Sequence, residues 1–221
     1  MLGWDSKKLL SFLALCTLAV TPLGNGNIGA TTLLKGHPVS KFILTNVTHL
    51  SYHFCMIAFD ASTLILLAKI NILELFVSNF PGAVLIPEKV REEACIEKTE
   101  ETPLLLKLIQ AKKIEVVKVR KSTLTKKLMD DFNIDAGEAE AIALALQKKV
   151  SMIGTDDRNA IRACRILKID FTTAIAILIR TFEKKLVDKD EALVKLQKLD
   201  SIARYSRAIL EDAQKQITGG D

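Results

Sequence analysis

Histidine and cysteine are scarce in this chain, and their positions limit the chemistry that it can perform. The 221 residues include three histidines, His37, His49 and His53, and all of them precede position 58. From position 58 on, the only cysteines are Cys95 and Cys164. If this longer part is an enzyme, the lack of histidine excludes Ser-His and Cys-His catalysis. Zinc sites built on His and Cys ligands are not expected either. The remaining functional groups are carboxylates, hydroxyls, lysines and arginines.

Other common signatures are also missing from the sequence. The four cysteines form no CxxC pair, which indicates reduced intracellular thiols rather than a disulfide framework. There is no Walker-type glycine-rich loop, so nucleotide hydrolysis is not expected. The net charge of +5 arises mostly before position 58, where four lysines accompany a single acid. From there on, 27 basic residues face 25 acidic ones, so bulk charge does not indicate a nucleic-acid partner.

Residues 1–55 differ in character from the rest of the chain. Lys7 and Lys8 precede an apolar run over residues 9–20, and a turn-rich stretch follows it. This order resembles a secretory signal, but the run is shorter than the ~20 residues of a membrane span. We expect a poorly structured extension. The alternatives are sequence upstream of a true start near Met56, a signal or anchor, or an accessory domain. With a start near Met56, we expect a cytoplasmic protein that does not bind membranes.

Apolar runs alternate with amphipathic stretches from Met56 onward, which predicts an α/β fold. The predicted strands are residues 56–59, 83–86, 114–119, 150–154 and 169–172. The predicted helices are residues 64–70, 73–80, 88–98, 102–112, 123–132, 138–149, 159–167, 174–185, 190–199 and 203–216. This alternation favours a mostly parallel sheet covered by helices on both faces, a three-layer α/β/α sandwich. We expect a domain over residues 56–185, with the helices of residues 186–221 packed on it.

Two predicted strands end in aspartate. Asp60 follows the first strand, and Asp156 and Asp157 follow the fourth. In open α/β sheets, ligands bind at the carboxyl ends of the strands, near the point where the strand order reverses. Asp60 and Asp156 are therefore expected at one edge of the sheet, and either Asp156 or Asp157 is the direct ligand there. The alternative is that each aspartate only caps the helix that follows it.

A third acid lies at the start of the helix that follows the second strand. Glu93 comes three residues after Val90, so the two share nearly one helix face. Val90 is expected to face the core, and a carboxylate on that side needs a partner. By the same count, Glu92 faces solvent.

Two more glutamates open the helix that starts near residue 138. Glu138 and Glu140 flank the predicted buried stripe of that helix, roughly 200° apart. The stripe consists of Ala139, Ile142, Ala143 and Leu146. We therefore expect only one of the two glutamates to act as a direct ligand. As an alternative, both are ordinary helix N-terminal acids that complement the helix dipole.

Several carboxylates in one pocket repel each other and raise each other's pKa. A divalent cation removes this repulsion, and oxygen ligands without His or Cys favour Mg²⁺ or Mn²⁺. Such a site suits in-line hydrolysis of a phosphodiester. Ser62 and Thr155 are candidates for supporting hydrogen bonds. The predicted catalytic and metal ligands are Asp60, Glu93, Glu138 and Asp156, with Glu140 and Asp157 as alternates.

Four segments together resemble the PIN-domain family, in the prokaryotic form related to VapC-type toxins. Residues 57–62 are similar to its opening strand with Asp-x-Ser/Thr. Residues 87–93 are similar to its Pro-x-x-Val-x-x-Glu segment, which assigns the second acid to Glu93. Residues 137–142 match a Gly-Glu-x-Glu-Ala-Ile variant, and residues 155–158 match the closing Thr/Asp-Asp-Arg segment. The order of the segments is that of the family.

This resemblance implies a metal-dependent endoribonuclease that cuts RNA, often as the toxin of a toxin–antitoxin pair. It also implies a homodimer and a small antitoxin that fills the active site. One departure is Glu138, where the family more often has aspartate. Basic residues that are candidates for contacts to RNA phosphates at the predicted edge are Lys148, Lys149, Arg158, Arg162 and Arg165. Their alternative role is to form solvated helix faces.

Two competing functions follow from the same residues. A haloacid-dehalogenase-like phosphatase also begins with a strand and an aspartate, but its Asp-x-Asp is replaced here by Asp60, Ala61 and Ser62. The acid/base carboxylate of that family is therefore missing. The other candidate is a PIN-like module that binds RNA or a protein partner without cutting.

Overall fold

The computed structural model describes residues 22–23, 27–28, 55–96, 99–120 and 123–219. The chain divides into two compact units, Met1–Tyr52 and His53–Asp221. In the first unit, strands β1 (Pro22–Leu23) and β2 (Asn27–Ile28) pair in antiparallel fashion. The signal-like run predicted over residues 9–20 and most of the extension predicted for residues 1–55 lie outside the described residues.

The second unit contains a five-stranded sheet in which every strand pairing is parallel. Its strands are β3 (Met56–Phe59), β4 (Ala83–Pro87), β5 (Ile114–Val117), β6 (Met152–Gly154) and β7 (Phe171–Thr172). Their spatial order is β5-β4-β3-β6-β7, with β3 in the centre. The predicted parallel sheet is therefore confirmed, and each predicted strand is present with boundaries that shift by up to two residues.

Helices connect these strands and continue after them. In the described part of the chain they are α1 (Ala61–Lys69), α2 (Leu73–Asn79), α3 (Glu88–Ile96), α4 (Thr102–Gln110), α5 (Thr123–Phe132), α6 (Ala136–Lys148), α7 (Arg158–Leu167), α8 (Ala174–Glu183), α9 (Lys189–Ile202) and α10 (Arg207–Thr218). Within those residues, no single helix is long and apolar enough to cross a membrane. The pair α1 and α2 meets the length and composition criteria jointly, but the two helices are bent by 107°.

The central strand shows why the sheet is covered on both faces. Ile57, Ala58 and Phe59 are all buried, as expected of a parallel strand between two helical layers. Because side chains alternate along a strand, Ile57 and Phe59 join one hydrophobic cluster and Ala58 joins another. The first cluster includes residues of α1–α4 and α8–α10, and the second includes residues of α5–α7. The predicted three-layer α/β/α sandwich is thus confirmed.

The helices after residue 186 pack on the first of these clusters. Leu196 and Leu199 of α9 and Ile217 of α10 are buried in it. Lys195 is buried as well, and its ammonium group donates a hydrogen bond to the Ile70 carbonyl over 2.8 Å. Since Ile70 directly follows α1, this hydrogen bond ties the C-terminal helices to the first helix of the domain.

Helix α6 differs from the amphipathic helix that its sequence predicts. Leu146, assigned to its buried stripe, is 41% exposed, so that assignment is wrong. Instead Ala141, Leu144 and Ala145 are buried together with the correctly predicted Ala139. The helix contacts the sheet and also α3, α5 and α7, and its many alanines allow close approach on several sides. Burial around most of its circumference removes the single-faced period on which the prediction relied.

Candidate active site

The sheet topology brings two of the predicted acids together. From β3 the chain proceeds to β4 and β5 on one side, whereas β6 lies on the other side of β3 and leads to β7. The strand order therefore reverses between β3 and β6, where Phe59 pairs with Gly154. The Asp60 amide donates a hydrogen bond to the Gly154 carbonyl over 3.1 Å. Asp60 and Asp156 thus lie at the same carboxyl-end edge, as predicted.

Asp60 caps helix α1 with one of its two carboxylate oxygens. Its Oδ1 accepts hydrogen bonds from the Thr63 amide (2.8 Å) and from the Ser62 hydroxyl (3.2 Å). The capping interpretation is therefore correct for this oxygen. However, the residue is only 1% exposed, and Oδ2 is buried without a hydrogen-bond partner among the described residues. Because a buried acceptor without a partner costs about 1–3 kcal/mol, Oδ2 is the feature of this residue that capping does not explain.

Burial also changes the ionisation of Asp60. Desolvation raises the pKa of its carboxyl group to about 6. The nearby Thr155 hydroxyl and the contacts from Thr63 oppose the increase, and the charge of Asp156 adds to it. Without a neutralising ion, this carboxyl group is therefore partly protonated near neutral pH.

Asp156 is held by donors from three parts of the chain. The Thr63 hydroxyl donates to Oδ2 over 2.9 Å, and the Tyr205 hydroxyl donates to Oδ1. The Ala174 amide lies 3.2 Å from Oδ1 and 3.0 Å from Oδ2. Burial raises the pKa of Asp156, and these donors reduce the increase. Thr63 therefore links the two acids, because its amide bonds Asp60 and its hydroxyl bonds Asp156.

The neighbouring Asp157 has a structural task. Its Oδ1 accepts hydrogen bonds from the amides of Asn159 (2.7 Å) and Ala160 (2.8 Å), so it caps helix α7. The Thr155 hydroxyl is buried and accepts a hydrogen bond from the Asp157 amide over 3.4 Å. The capping role fits the preference for Asp156 as the direct ligand, which stays a prediction.

Glu93 reaches the site from α3 by lying against α6. A side-chain carbon built on Gly137 would overlap its Oε2 and would lie 2.9 Å from its Cδ. Burial raises the pKa of Glu93, and the charges of Asp135, Glu140 and Asp60 add to this effect. On the same helix, Glu92 is exposed as predicted.

Glu138 forms a capping box with Asp135, which was not among the predicted site residues. The Glu138 amide donates to Asp135 Oδ1 over 2.9 Å, and Glu138 Oε2 accepts from the Asp135 amide over 3.1 Å. Burial raises the pKa of Glu138 to about 7, with additions from Asp135, Asp157 and Asp60. Glu140 instead raises the pKa of Glu93. The two glutamates of α6 therefore act on different neighbours, as expected from their positions on either side of the helix.

Among the described residues, the acidic side chains do not form a preassembled metal centre. In the segments that the structure describes, no three Asp, Glu, His or Cys residues form a group that could hold a metal ion. Joint ligation by Asp60, Glu93, Glu138 and Asp156 therefore stays a prediction. The chemistry of the site nevertheless fits a hard divalent cation. Oδ2 of Asp60 is buried without a hydrogen-bond partner among the residues described, and desolvation and the charges of neighbouring acids raise the pKa of Asp60, Glu93 and Glu138.

The basic residues divide between two edges of the sheet. Arg158 and Arg162 are exposed in the first turns of α7, next to the Asp157 cap and hence beside the acids. Arg165 is farther along α7, with its guanidinium 5.5 Å from the centre of the Phe171 ring, a cation–π contact.

Lys148 and Lys149 were predicted at the acidic edge, and this placement is wrong. Lys149 directly follows α6 and precedes β6, and the Ser151 amide donates a hydrogen bond to the carbonyl of Met56, the first residue of β3. Since a crossover helix runs antiparallel to the strands, the end of α6 lies at the opposite edge. The ~3.3 Å rise per strand residue separates the two edges by over 10 Å.

Three contributors to the site were missed in the sequence. Asp135 had a usable signal, because Asp135 and Glu138 have the spacing of a capping box. Thr63 stands next to Ser62, and only the fold shows that its hydroxyl reaches Asp156. Tyr205 lies between α9 and α10, 49 residues from Asp156, and no local pattern marks it.

One comparison with known protein families identifies the family of this chain. A family model described as a PIN domain (DUF3368) matches residues 56–218, from β3 to the end of α10. A similar solved structure is the crystal structure of PAE2754 from Pyrobaculum aerophilum, at 14% identity and a TM-score of 0.40. That similarity covers 57% of this chain and 96% of the other. No curated protein matches the sequence. Because the family match covers well over half of the chain, this protein belongs to the PIN-domain family, whose members are generally nucleases.

Proposed function

We propose that this protein is an endoribonuclease that uses Mg²⁺ or Mn²⁺ to hydrolyse RNA phosphodiesters. The observation that carries the proposal is Oδ2 of Asp60 at the switch point of the sheet, which is buried and has no hydrogen-bond partner in the part of the chain that the structure describes. The charge of Asp156 raises the pKa of Asp60, and the charge of Asp60 adds to the raised pKa values of Glu93 and Glu138, which supports a shared role for the four acids. Membership in a family of nucleases supports the same conclusion.

Each group has a definite task in this proposal. Asp60, Glu93, Glu138 and Asp156 hold the cation, with Glu140 and Asp157 as alternates for the last two. When bound, the ion supplies a water of lowered pKa and neutralises charge that develops on the phosphate. Ser62 supports Asp60 by donating a hydrogen bond to it, and Thr155 supports the Asp157 cap by accepting one from the Asp157 amide. The exposed Arg158 and Arg162 bind phosphates of the RNA strand.

A non-cleaving RNA-binding module is the second candidate. It is favoured by the capping roles of Asp60, Asp157 and Glu138, and by the lack of a preassembled group of three ligands in the described residues. The phosphatase candidate has less support. At the position of its second carboxylate stands Ser62, whose hydroxyl donates to Asp60 and cannot serve as a general acid near neutral pH.

The decisive experiment incubates end-labelled single-stranded RNA with the purified protein and Mg²⁺ or Mn²⁺. We expect cleavage that EDTA stops and that Asp60→Asn abolishes, since the asparagine keeps the cap but not the charge. Asp200→Asn, at an exposed position of α9, is the matched control and leaves the rate unchanged. RNA binding in EDTA with no cleavage under any metal identifies a binding module. Release of phosphate from a small phosphomonoester identifies a phosphatase.

The biological setting in this proposal is that of a toxin. The sequence resemblance to VapC-type proteins supports a cytoplasmic homodimer whose RNA cleavage is inhibited by a small antitoxin. Expression of the chain should then arrest bacterial growth, and Asp60→Asn should relieve the arrest. Co-expression of a short reading frame encoded beside it should do the same and yield a stable complex. Growth arrest that persists in Asp60→Asn contradicts the toxin role without bearing on cleavage in vitro.

A further inference from the structure

The connection between α9 and α10 carries one side chain into the acid site. The Tyr205 hydroxyl donates a hydrogen bond to Asp156 Oδ1 and accepts one from the Ile175 amide over 3.3 Å. Its ring packs partly buried against the first hydrophobic cluster. The hydroxyl is therefore fixed by the ring on one side and by two hydrogen bonds on the other.

The donors around Asp156 hold both of its oxygens. Thr63 donates to Oδ2 and Tyr205 to Oδ1, and the Ala174 amide lies within hydrogen-bond distance of both oxygens. The three donors belong to α1, to the start of α8 and to the α9–α10 connection, so the orientation of Asp156 depends on parts of the chain far apart in sequence.

We propose that Tyr205 is a positioning residue of the acid site, whose hydroxyl holds Asp156 in the orientation that receives the cation. The helices after residue 186 therefore help to orient Asp156 in addition to packing on the domain. The proposal rests on the proposed function, because it assumes that the acids bind a divalent ion.

The physical reason is the conformational entropy that a coordinating side chain loses when it binds the ion. A carboxylate fixed by outer hydrogen bonds loses no further side-chain freedom when the ion arrives, whereas a loosened one does. Loss of an outer partner of a metal ligand typically lowers metal affinity or activity about 10- to 100-fold. Tyr205→Phe removes only the hydroxyl and keeps the ring in its packing, so it isolates this effect.

The experiment compares four full-length proteins by calorimetric titration with Mn²⁺ in the absence of RNA. They are the wild type, Tyr205→Phe, Thr63→Val and the control Thr181→Val. Thr181 is also a buried hydroxyl, but it donates to Ile177 within α8 and does not touch Asp156. We expect Tyr205→Phe and Thr63→Val each to weaken Mn²⁺ binding about 10-fold or more, while Thr181→Val binds as the wild type does. Cleavage assays should show kcat reduced and the KM for RNA unchanged.

The double variant Thr63→Val with Tyr205→Phe supplies a second measure. Because both hydroxyls act on one carboxylate, the double variant should lose less affinity than the product of the two single losses. Thermal unfolding of every variant shows whether the fold is retained.

The outcomes separate the two proposals. If the wild type binds Mn²⁺ and Tyr205→Phe binds it equally or more tightly, the positioning role is overturned while the nuclease proposal stands. If the wild type neither binds Mn²⁺ nor cleaves RNA, both proposals fall. If Thr181→Val loses as much affinity as Tyr205→Phe, the effect is a general loss of packing, and the specific role of Tyr205 is rejected.

Discussion

The carboxylate of Glu93 occupies the space that a side chain at Gly137 would need. A Cβ atom on Gly137 would overlap Glu93 Oε2 and would lie 3.1 Å from Oε1. The missing side chain lets α3 present an acid directly to the first turn of α6, where Asp135 and Glu140 also act on its ionisation. The position of the Glu93 carboxylate thus depends on glycine at residue 137 through close approach, whereas the backbone φ of Gly137 needs no special freedom.

This relationship predicts that Gly137→Ala separates stability from activity. The atoms in the way are the end of a flexible side chain, so the carboxylate of Glu93 moves and the backbone stays. Alanine is also the better helix former by about 1 kcal/mol. We expect an unfolding temperature equal to or above that of the wild type, and a metal-dependent cleavage rate about 100-fold lower, as for a misplaced catalytic group. Glu93→Gln should lose activity to a similar extent. Full activity in Gly137→Ala would contradict a role for Glu93.

Gly154→Ala, unlike Gly137→Ala, should lower the stability of the fold. A Cβ at Gly154 would overlap the ring of Phe59, which is fully buried beside it in the neighbouring strand. A buried ring and a strand backbone cannot move aside easily. Overpacking of a core typically lowers the free energy of unfolding by about 1–3 kcal/mol. Urea denaturation of metal-free protein should show a lower midpoint for Gly154→Ala and none of this loss for Gly137→Ala. Equal midpoints for the two variants would show that the sheet edge adapts as easily as the Glu93 side chain.

The sequence predicted the fold and the edge that carries the acids because those signals are local. Short apolar runs closed by Asp60 or by Asp156 mark parallel strands, and parallel strands have their carboxyl ends at one edge. Capping a helix and binding a metal ion were treated as alternative roles for each aspartate. The two oxygens of Asp60 differ, so capping by one of them leaves the other available. One oxygen of Asp60 caps α1, and the other has no hydrogen-bond partner within the described segments.

What the sequence could not provide depends on distance and direction. Tyr205 reaches Asp156 only after α8, α9 and α10 have packed together, so nothing near it in the sequence marks its role. Leu146 was misassigned because α6 is covered on several sides, which erases a helical period. Lys149 was misplaced for a simpler reason. Because a crossover helix runs antiparallel to the strands, the C-terminal end of α6 lies at the edge away from the acids.

The acid site should make the metal-free protein less stable as the pH rises. The pKa of Asp60 is raised from 3.8 to about 6 and that of Glu138 from 4.5 to about 7. Between about pH 4 and pH 7 the native state therefore binds more protons than the unfolded state, and stability falls as pH increases through this window. For fully buried Asp60 the contribution is on the order of 3 kcal/mol.

The measurement is the free energy of unfolding in EDTA at several values between pH 4.5 and pH 8. In Asp60→Asn the free energy of unfolding should depend less on pH than in the wild type. Near pH 8 the variant should be more stable than the wild type, because a buried amide does not have to ionise. The exposed Asp200→Asn should reproduce the wild-type profile. Added Mn²⁺ should restore wild-type stability at high pH through binding to the native state. A wild-type profile that rises with pH would show that the acids are not held in the desolvated arrangement described above.

The two edges of the sheet should differ in their contribution to RNA binding. Arg158 and Arg162 lie beside the acids at the start of α7, whereas Lys148 and Lys149 lie at the far edge. We therefore expect the double variant Arg158→Ala with Arg162→Ala to weaken RNA binding, and Lys148→Ala with Lys149→Ala to leave it unchanged. Affinity is measured in the Asp60→Asn background, in which RNA is bound but not cut.

The dependence on salt identifies the cause. Each phosphate contact to a single strand contributes about 0.7 to the slope of log affinity against log salt. Loss of both arginine contacts should therefore reduce the slope by about 1.4, whereas loss of both lysines should not change it. Both double variants remove two positive charges, so a bulk electrostatic effect would act on them equally. If instead the lysine variant shows the larger change in slope, the RNA strand passes along the edge opposite the acids, and the arginines have no part in its binding.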